Sequence, residues 1–206
     1  NKDDSKIAVL VLPQSESRNS QYQEKSFLKD SIKIQSSKDV TIFFDNELKN
    51  LNIKLNSQNS WVLVYESNLS NIGINFSSNF LQEDYLDNNI GRINSRGLSG
   101  CISFFKTNFD KTIITAENLS HECEDTVNII NSSGNISELM INGSYSDALD
   151  IDFSNISIDL LKIKNAKNDC ADFSKGNYTL GDVFLSNCED KAISIGEQSL
   201  FSANLV

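Results

Sequence analysis

The chain has 206 residues, 39% of them hydrophobic, with 28 acidic against 18 basic side chains and a formal net charge of −10. That length supports one domain with a sizeable core, and the acidity argues against nucleic-acid binding, fitting neutral or basic partners or a calcium ion better. The longest early apolar run, Ile7 to Leu12 before Pro13, is too short to span a bilayer, so no membrane insertion is expected.

Taken from the N-terminus, the irregular stretch Gln14–Lys29 is assigned as a cap. Three segments then line up: "VTIFFDNELKNLNI" from Val40, "WVLVYESNLSNIGI" from Trp61 and "CISFFKTNFDKTII" from Cys101. Each reads as a five-residue strand, a short polar corner reaching Leu48, Leu69 or Phe109, and a second strand. Between the second and third lies an insertion at 77–99. It lacks the alternation, is predicted to project as a surface loop, and holds Arg92 and Arg96, two of the three arginines in the chain.

Downstream the spacing becomes regular. Asp125, Asp147, Asp169 and Lys191 open four segments, with 147−125, 169−147 and 191−169 each equal to 22. Two positions on stand Val127, Leu149, Ala171 and Ile193; four on stand Ile129, Ile151, Phe173 and Ile195. Between them lie Asn128, Asp150, Asp172 and Ser194. This is period-two alternation repeated once per coil, which excludes an amphipathic-helix array. A leucine-rich repeat would need a Leu-x-x-Leu-x-Leu pattern that the chain lacks.

A period near 22 with two or three short strands per unit indicates a parallel β-helix, whose coils bury their inward faces only by stacking at about 4.8 Å. The predicted fold is therefore all-β, a single-stranded right-handed parallel β-helix of seven to eight coils, forming one domain over 1–206. The handedness follows the general preference of parallel crossovers. The terminal "LFSANLV" reads as the second strand of a coil cut off mid-repeat, whose edge a longer protein would cover.

The outward columns carry the candidate chemistry. Asp147 and Asp169 stack on neighbouring coils between Asp125 and Lys191, and Asp150 and Asp172 form a second column beside them. Two carboxylates about 5 Å apart repel by roughly 1 kcal/mol in water, and more when desolvated. Such a cluster calls for raised pKa values, a basic neighbour such as Lys191, or a calcium ion held by Asp147, Asp150, Asp169 and Asp172. Asp is equally a favoured corner residue that caps backbone N–H groups, and both readings stay open.

"SYSDALDI" (144–151), "KNDCADF" (167–173) and "EDKAISIGEQS" (189–199) resemble successive coils of the pectin-lyase-like superfamily of right-handed β-helix proteins. Within it they are similar to polygalacturonase-type glycoside hydrolases, whose coils carry NTD, DD and GHG motifs. The resemblance implies that Asp147 matches the Asp of the first motif and Asp169 the second Asp of the next. Lys191 stands where the family has histidine, and Asn168 where it has the first Asp of the pair. It implies a polysaccharide as partner and Asp147, Asp169 and Lys191 as candidate catalytic residues; the acidic columns and the inserted arm add Asp150, Asp172, Arg92 and Arg96 as candidate substrate contacts. A polysaccharide lyase on this scaffold would need a base near the uronate C5 proton; the carboxylates beside Lys191 raise its pKa and suit it better to binding an anion.

His121 is the only histidine and, with no second one, reads as a solvated loop residue rather than a metal ligand. Cys101 and Cys170 lie three coils apart, beyond disulfide reach. Pairs Cys101–Cys123 and Cys170–Cys188 would staple neighbouring coils in an oxidising compartment; four buried thiols are the alternative. The expectation is an extracellular or cell-surface module that binds or processes polysaccharide on an acidic face. The competing expectation is a non-catalytic structural or adhesive module of a larger surface, spore-coat or phage-type protein with further domains.

Overall fold

Alternating apolar and polar residues build two sheets that wind around one core. The computed structural model describes residues 22–78, 93–118 and 122–205. In chain order the strands are β1 Tyr22–Phe27, β2 Ile32–Ser37, β3 Val40–Asp45, β4 Asn50–Leu55, β5 Val62–Tyr65 and β6 Asn68–Ser70. They continue with β7 Gly73–Ser78, β8 Ile102–Phe105, β9 Asn108–Asn118, β10 Asp125–Ile130, β11 Ser133–Ser144 and β12 Asp147–Asp152. The last are β13 Asn155–Ala166, β14 Ala171–Ser174, β15 Asn177–Cys188, β16 Ile193–Ile195 and β17 Leu200–Leu205. Sheet A runs β1-β2-β5-β8-β10-β12-β14-β16, and sheet B runs β17-β15-β13-β11-β9-β7-β4-β3 with β6 beside β9.

From β4 and β5 onward every neighbour in the two sheets is parallel, giving a β-solenoid of about six turns. The register reproduces the predicted columns: Asp125 faces Asp147, Val127 faces Leu149, and Leu149 faces Ala171, which faces Ile193. The inward columns are dry. Val127, Ile129, Leu149, Ile151, Ala171 and Phe173 of sheet A are fully buried, as are Ile114, Leu139 and Leu161 of sheet B. Burial of each Val, Leu, Ile or Phe side chain among them contributes roughly 1.5–3 kcal/mol against leaving it in water.

The segment from Val40 does not form the predicted coil. β3 folds back on β4 as an antiparallel hairpin, Val40 facing Leu55 and Asp45 facing Asn50. The local chemistry explains this: Asp45 Oδ1 accepts the N–H groups of Glu47 and Leu48 at 2.9 and 3.0 Å, and Lys49 takes a left-handed φ of 51°. Those features close a tight turn where the later coils have an open corner. β1 is likewise antiparallel to β2, and β2 to β5, so antiparallel strands occupy the N-terminal end. Of the Gln14–Lys29 cap, the residues before Tyr22 lie outside the described residues.

The corner from sheet A to sheet B repeats one device. Glu66, Lys106, Asn131, Phe153 and Lys175 occupy it with φ between 45° and 52°. The next residue is a hydroxyl in most coils: Ser132 Oγ donates to Ile130 O and accepts the Thr107 N–H, and Ser154 Oγ donates to Asp152 O and accepts the Ser132 N–H. One coil on, that place is Gly176. A Cβ there would meet Ser154 O at 2.1 Å, and the buried Tyr178 hydroxyl instead donates to Ser174 O at 2.6 Å.

Both predicted cysteine pairs are at disulfide distance, with Cα–Cα 5.5 Å for Cys101–Cys123 and 5.3 Å for Cys170–Cys188. Each joins the start of one turn of the solenoid to the end of the same turn.

Candidate functional site

The Asp column lies at the corner where sheet B returns to sheet A, and its carboxylates bind the next coil. Asp147 Oδ1 accepts the backbone N–H of Asp169 at 2.9 Å and the Asn168 side-chain amide at 2.7 Å. Asp169 Oδ1 accepts the backbone N–H of Lys191 at 2.9 Å. The strand repeat places Asp147 and Asp169 one coil below an N–H without a ladder partner at the corner, so each carboxylate substitutes for one; Asp125 does not, because the Asp147 N–H donates to Glu124 O at 3.0 Å. Asp169 is buried, and the Lys191 ammonium sits 3.3 Å from its carboxylate and 2.7 Å from Asp190. Hydrogen bonds from Asp190 and then Asp169 push the Lys191 pKa up, and that from Lys191 pulls Asp190 down.

The second column, on the outward face of sheet A, runs Leu63, Ser103, Asn128, Asp150, Asp172 and Ser194 in register. Asn128 donates its side-chain amide to Asp150 Oδ2 at 2.7 Å. Burial first, then the charges of Asp125, Asp152, Asp172 and Asp147, push Asp150 up to about 8. Burial, then Glu124 and Asp147, push Asp125 up to about 7. Asp172 is also raised, by burial and then by Asp147 and Asp169. Asp125 and Asp150 thus hold protons near neutral pH, with burial the first cause, and no described cation offsets them: Lys191 is turned to Asp169 and Asp190, and Lys175 offsets only Asp152.

The sequence-predicted residues therefore separate. Asp147, Asp169 and Lys191 form one corner column, and Asp150 and Asp172 a neighbouring face column. Arg96 belongs to neither: its guanidinium lies 4.9 Å from the Phe105 ring centroid and 5.6 Å from that of Tyr65. Arg92 and His121 lie outside the described residues. Among the described residues no group of three or more His, Cys, Asp or Glu side chains is arranged to hold a metal ion, and no helix is long and apolar enough to cross a membrane.

Sequence reasoning missed the segment 93–100, which returns from the insertion across the outward face of sheet A. Ser99 Oγ donates to Asp125 Oδ2 at 3.3 Å, and Ser95 Oγ donates to Gln35. Asn94 Oδ1 accepts the N–H groups of Arg96 and Leu98, folding the segment into a turn at Gly97. The spacing carried no signal for it: Ser103 and Asn128 occupy the polar place of the alternation, and only in the folded chain are they 0% and 3% exposed.

No protein-family model matches the chain, and no curated protein and no solved structure matches it either. What is shown is the class: a parallel β-solenoid protein with two cysteine pairs at disulfide distance.

Proposed function

We propose that this domain is a non-catalytic structural or adhesive module of a surface-exposed protein in an oxidising compartment. One observation carries the reading. The carboxylates that occupy the catalytic places of the resembled hydrolases, Asp147 and Asp169, each accept the backbone N–H of the following coil, so they serve the stacking of the solenoid. The two cysteine pairs support the compartment. The test is a polysaccharide panel scored for new reducing or unsaturated ends with the native chain, Asp169→Asn and Lys191→Ala. No product from any of the three is expected; a product formed by the native chain and lost in Lys191→Ala would overturn the reading.

A second reading, a pectin-lyase-like surface that binds or processes polysaccharide, is favoured by the column at Asp150. A carboxyl that keeps its proton near neutral pH beside a second carboxyl is what a general acid requires. Calcium at Asp147, Asp150, Asp169 and Asp172 belongs to the same reading and predicts a melting temperature that falls when a chelator is added.

A further inference from the structure

The segment 93–100 closes over sheet A at the expense of hydrogen bonds. Beneath it, Ser103 Oγ and Asn128 Oδ1 are buried with no hydrogen-bond partner, and within it Asn94 Nδ2 is buried and equally unpartnered. Buried polar atoms without partners are rare in folded proteins, because each has given up water and gained nothing. Two of the five such atoms among the described residues lie beneath the segment and one within it, which marks a cover poorly matched to what it covers. The fit is nonetheless close: a Cβ at Gly100 would meet Asn128 Cβ at 2.7 Å and Ser103 Oγ at 2.8 Å, so the backbone rests directly on the polar column.

Among the described residues the contacts that hold the segment down are few, and only that of Ser99 with the buried Asp125 lies below the surface. Arg96 stacks over Phe105 and Tyr65, which are register partners on adjacent coils. Ser99 reaches Asp125, and Ser95 reaches Gln35. An exposed cation–aromatic contact of this kind is a weak tether. The coils below are held by ladder hydrogen bonds, the buried core and the Cys101–Cys123 pair. Two regions of one chain thus differ in local stability, the condition for opening of one without the other.

We propose that residues 93–100 form a displaceable strap, latched by Arg96, that covers the Ser103–Asn128 half of a polar stripe continuing through Asp150 and Asp172. Displacing it hydrates Ser103 Oγ, Asn128 Oδ1 and Asn94 Nδ2 together. The uncovered stripe would present hydroxyl, amide and carboxyl groups on four successive coils. The inference concerns the strap itself and stands whether or not the domain is catalytic.

Native-state hydrogen exchange on the intact 206-residue chain tests it. The Arg96, Gly97 and Leu98 amides are expected to exchange at least tenfold faster than those of Phe104 and Ile129, with a rate insensitive to low denaturant. Arg96→Ala should accelerate those strap amides at least tenfold further while leaving the melting temperature and the protection of β10 unchanged, and Arg96→Lys should restore part of the protection. Strap amides that exchange only with β8 and β10, in a single global event, would overturn the proposal. So would an Arg96→Ala variant whose strap amides match the native rates.

Discussion

Asp169 accepts the backbone N–H of Lys191 at 2.9 Å, and the same oxygen lies 3.4 Å from the Lys191 ammonium. One buried carboxylate therefore pairs with both the main chain and the side chain of a residue 22 positions on. The main-chain bond repeats at Asp147 and Asp169; the side-chain bond occurs only where the column changes to lysine.

Asp169→Ala removes the one acceptor that the Lys191 N–H has among the described residues, and should cost about 1–3 kcal/mol. Asp169→Asn keeps an acceptor oxygen and should cost less. Urea denaturation of both variants checks the order; equal losses would mean that charge, not acceptor geometry, matters at this corner.

Lys191→Ala should leave the urea denaturation midpoint close to that of the native chain. Its side chain is 55% exposed, and the main-chain bond to Asp169 survives the substitution. A larger loss in the denaturation midpoint would show that the ion pair, rather than the backbone bond, holds the last coil.

Tyr178→Phe should destabilise the domain by about 0.5–1.5 kcal/mol, because the buried hydroxyl bond to Ser174 O is lost while that oxygen keeps the Phe153 N–H. Gly176 leaves no room for a replacement side chain there, since a Cβ would meet Ser154 O at 2.1 Å. Thermal melts with and without the substitution decide this.

Opening the Cys170–Cys188 pair, by Cys→Ala at both positions, should cost about 2–4 kcal/mol. The bridge closes a loop of 18 residues near the end of the solenoid. The expected signature is early loss of exchange protection in β15 to β17 while β10 and β11 hold theirs.

Stability should fall as pH rises from about 4 to about 8. The folded-state pKa values of Asp125 and Asp150, pushed up to about 7 and about 8, exceed that of an ordinary unfolded aspartate, so the folded state binds more protons across that window. Their stabilising contribution is complete below about pH 4 and lost as pH passes through the folded values. Asp150→Asn mimics the protonated carboxyl, since an amide oxygen still accepts from Asn128. It should be more stable than the native chain at pH 8, by about 5 °C or more in melting temperature, and no more stable at pH 4. A native melting temperature that rises from pH 5 to pH 8 would refute the assignment.

The core was legible in the sequence because period-two alternation is a local property. Val127, Leu149 and Ala171 point inward for the same reason at each recurrence, and a 22-residue spacing can be stacked in only one register without turning apolar side chains outward. The cysteine pairing followed from that register. The Val40 segment misled because its alternation matches a coil strand, while the choice between corner and hairpin rests on the turn closed by Asp45 and Lys49. The polar columns were legible as positions and not as roles. Nothing in the spacing of Asp147 and Asp169 tells a carboxylate that binds the next backbone N–H from one that faces a ligand.

By itself, then, the sequence determined which faces are apolar, how the coils stack and which cysteines meet, all consequences of a repeating alternation. The tertiary structure alone decided that the first hairpin runs antiparallel, that Asp169 is committed to Lys191, and that residues 93–100 lie across Ser103 and Asn128. Those contacts join parts of the chain whose spacing follows no repeat, or depend on where a side-chain oxygen points, and alternation carries no information about either.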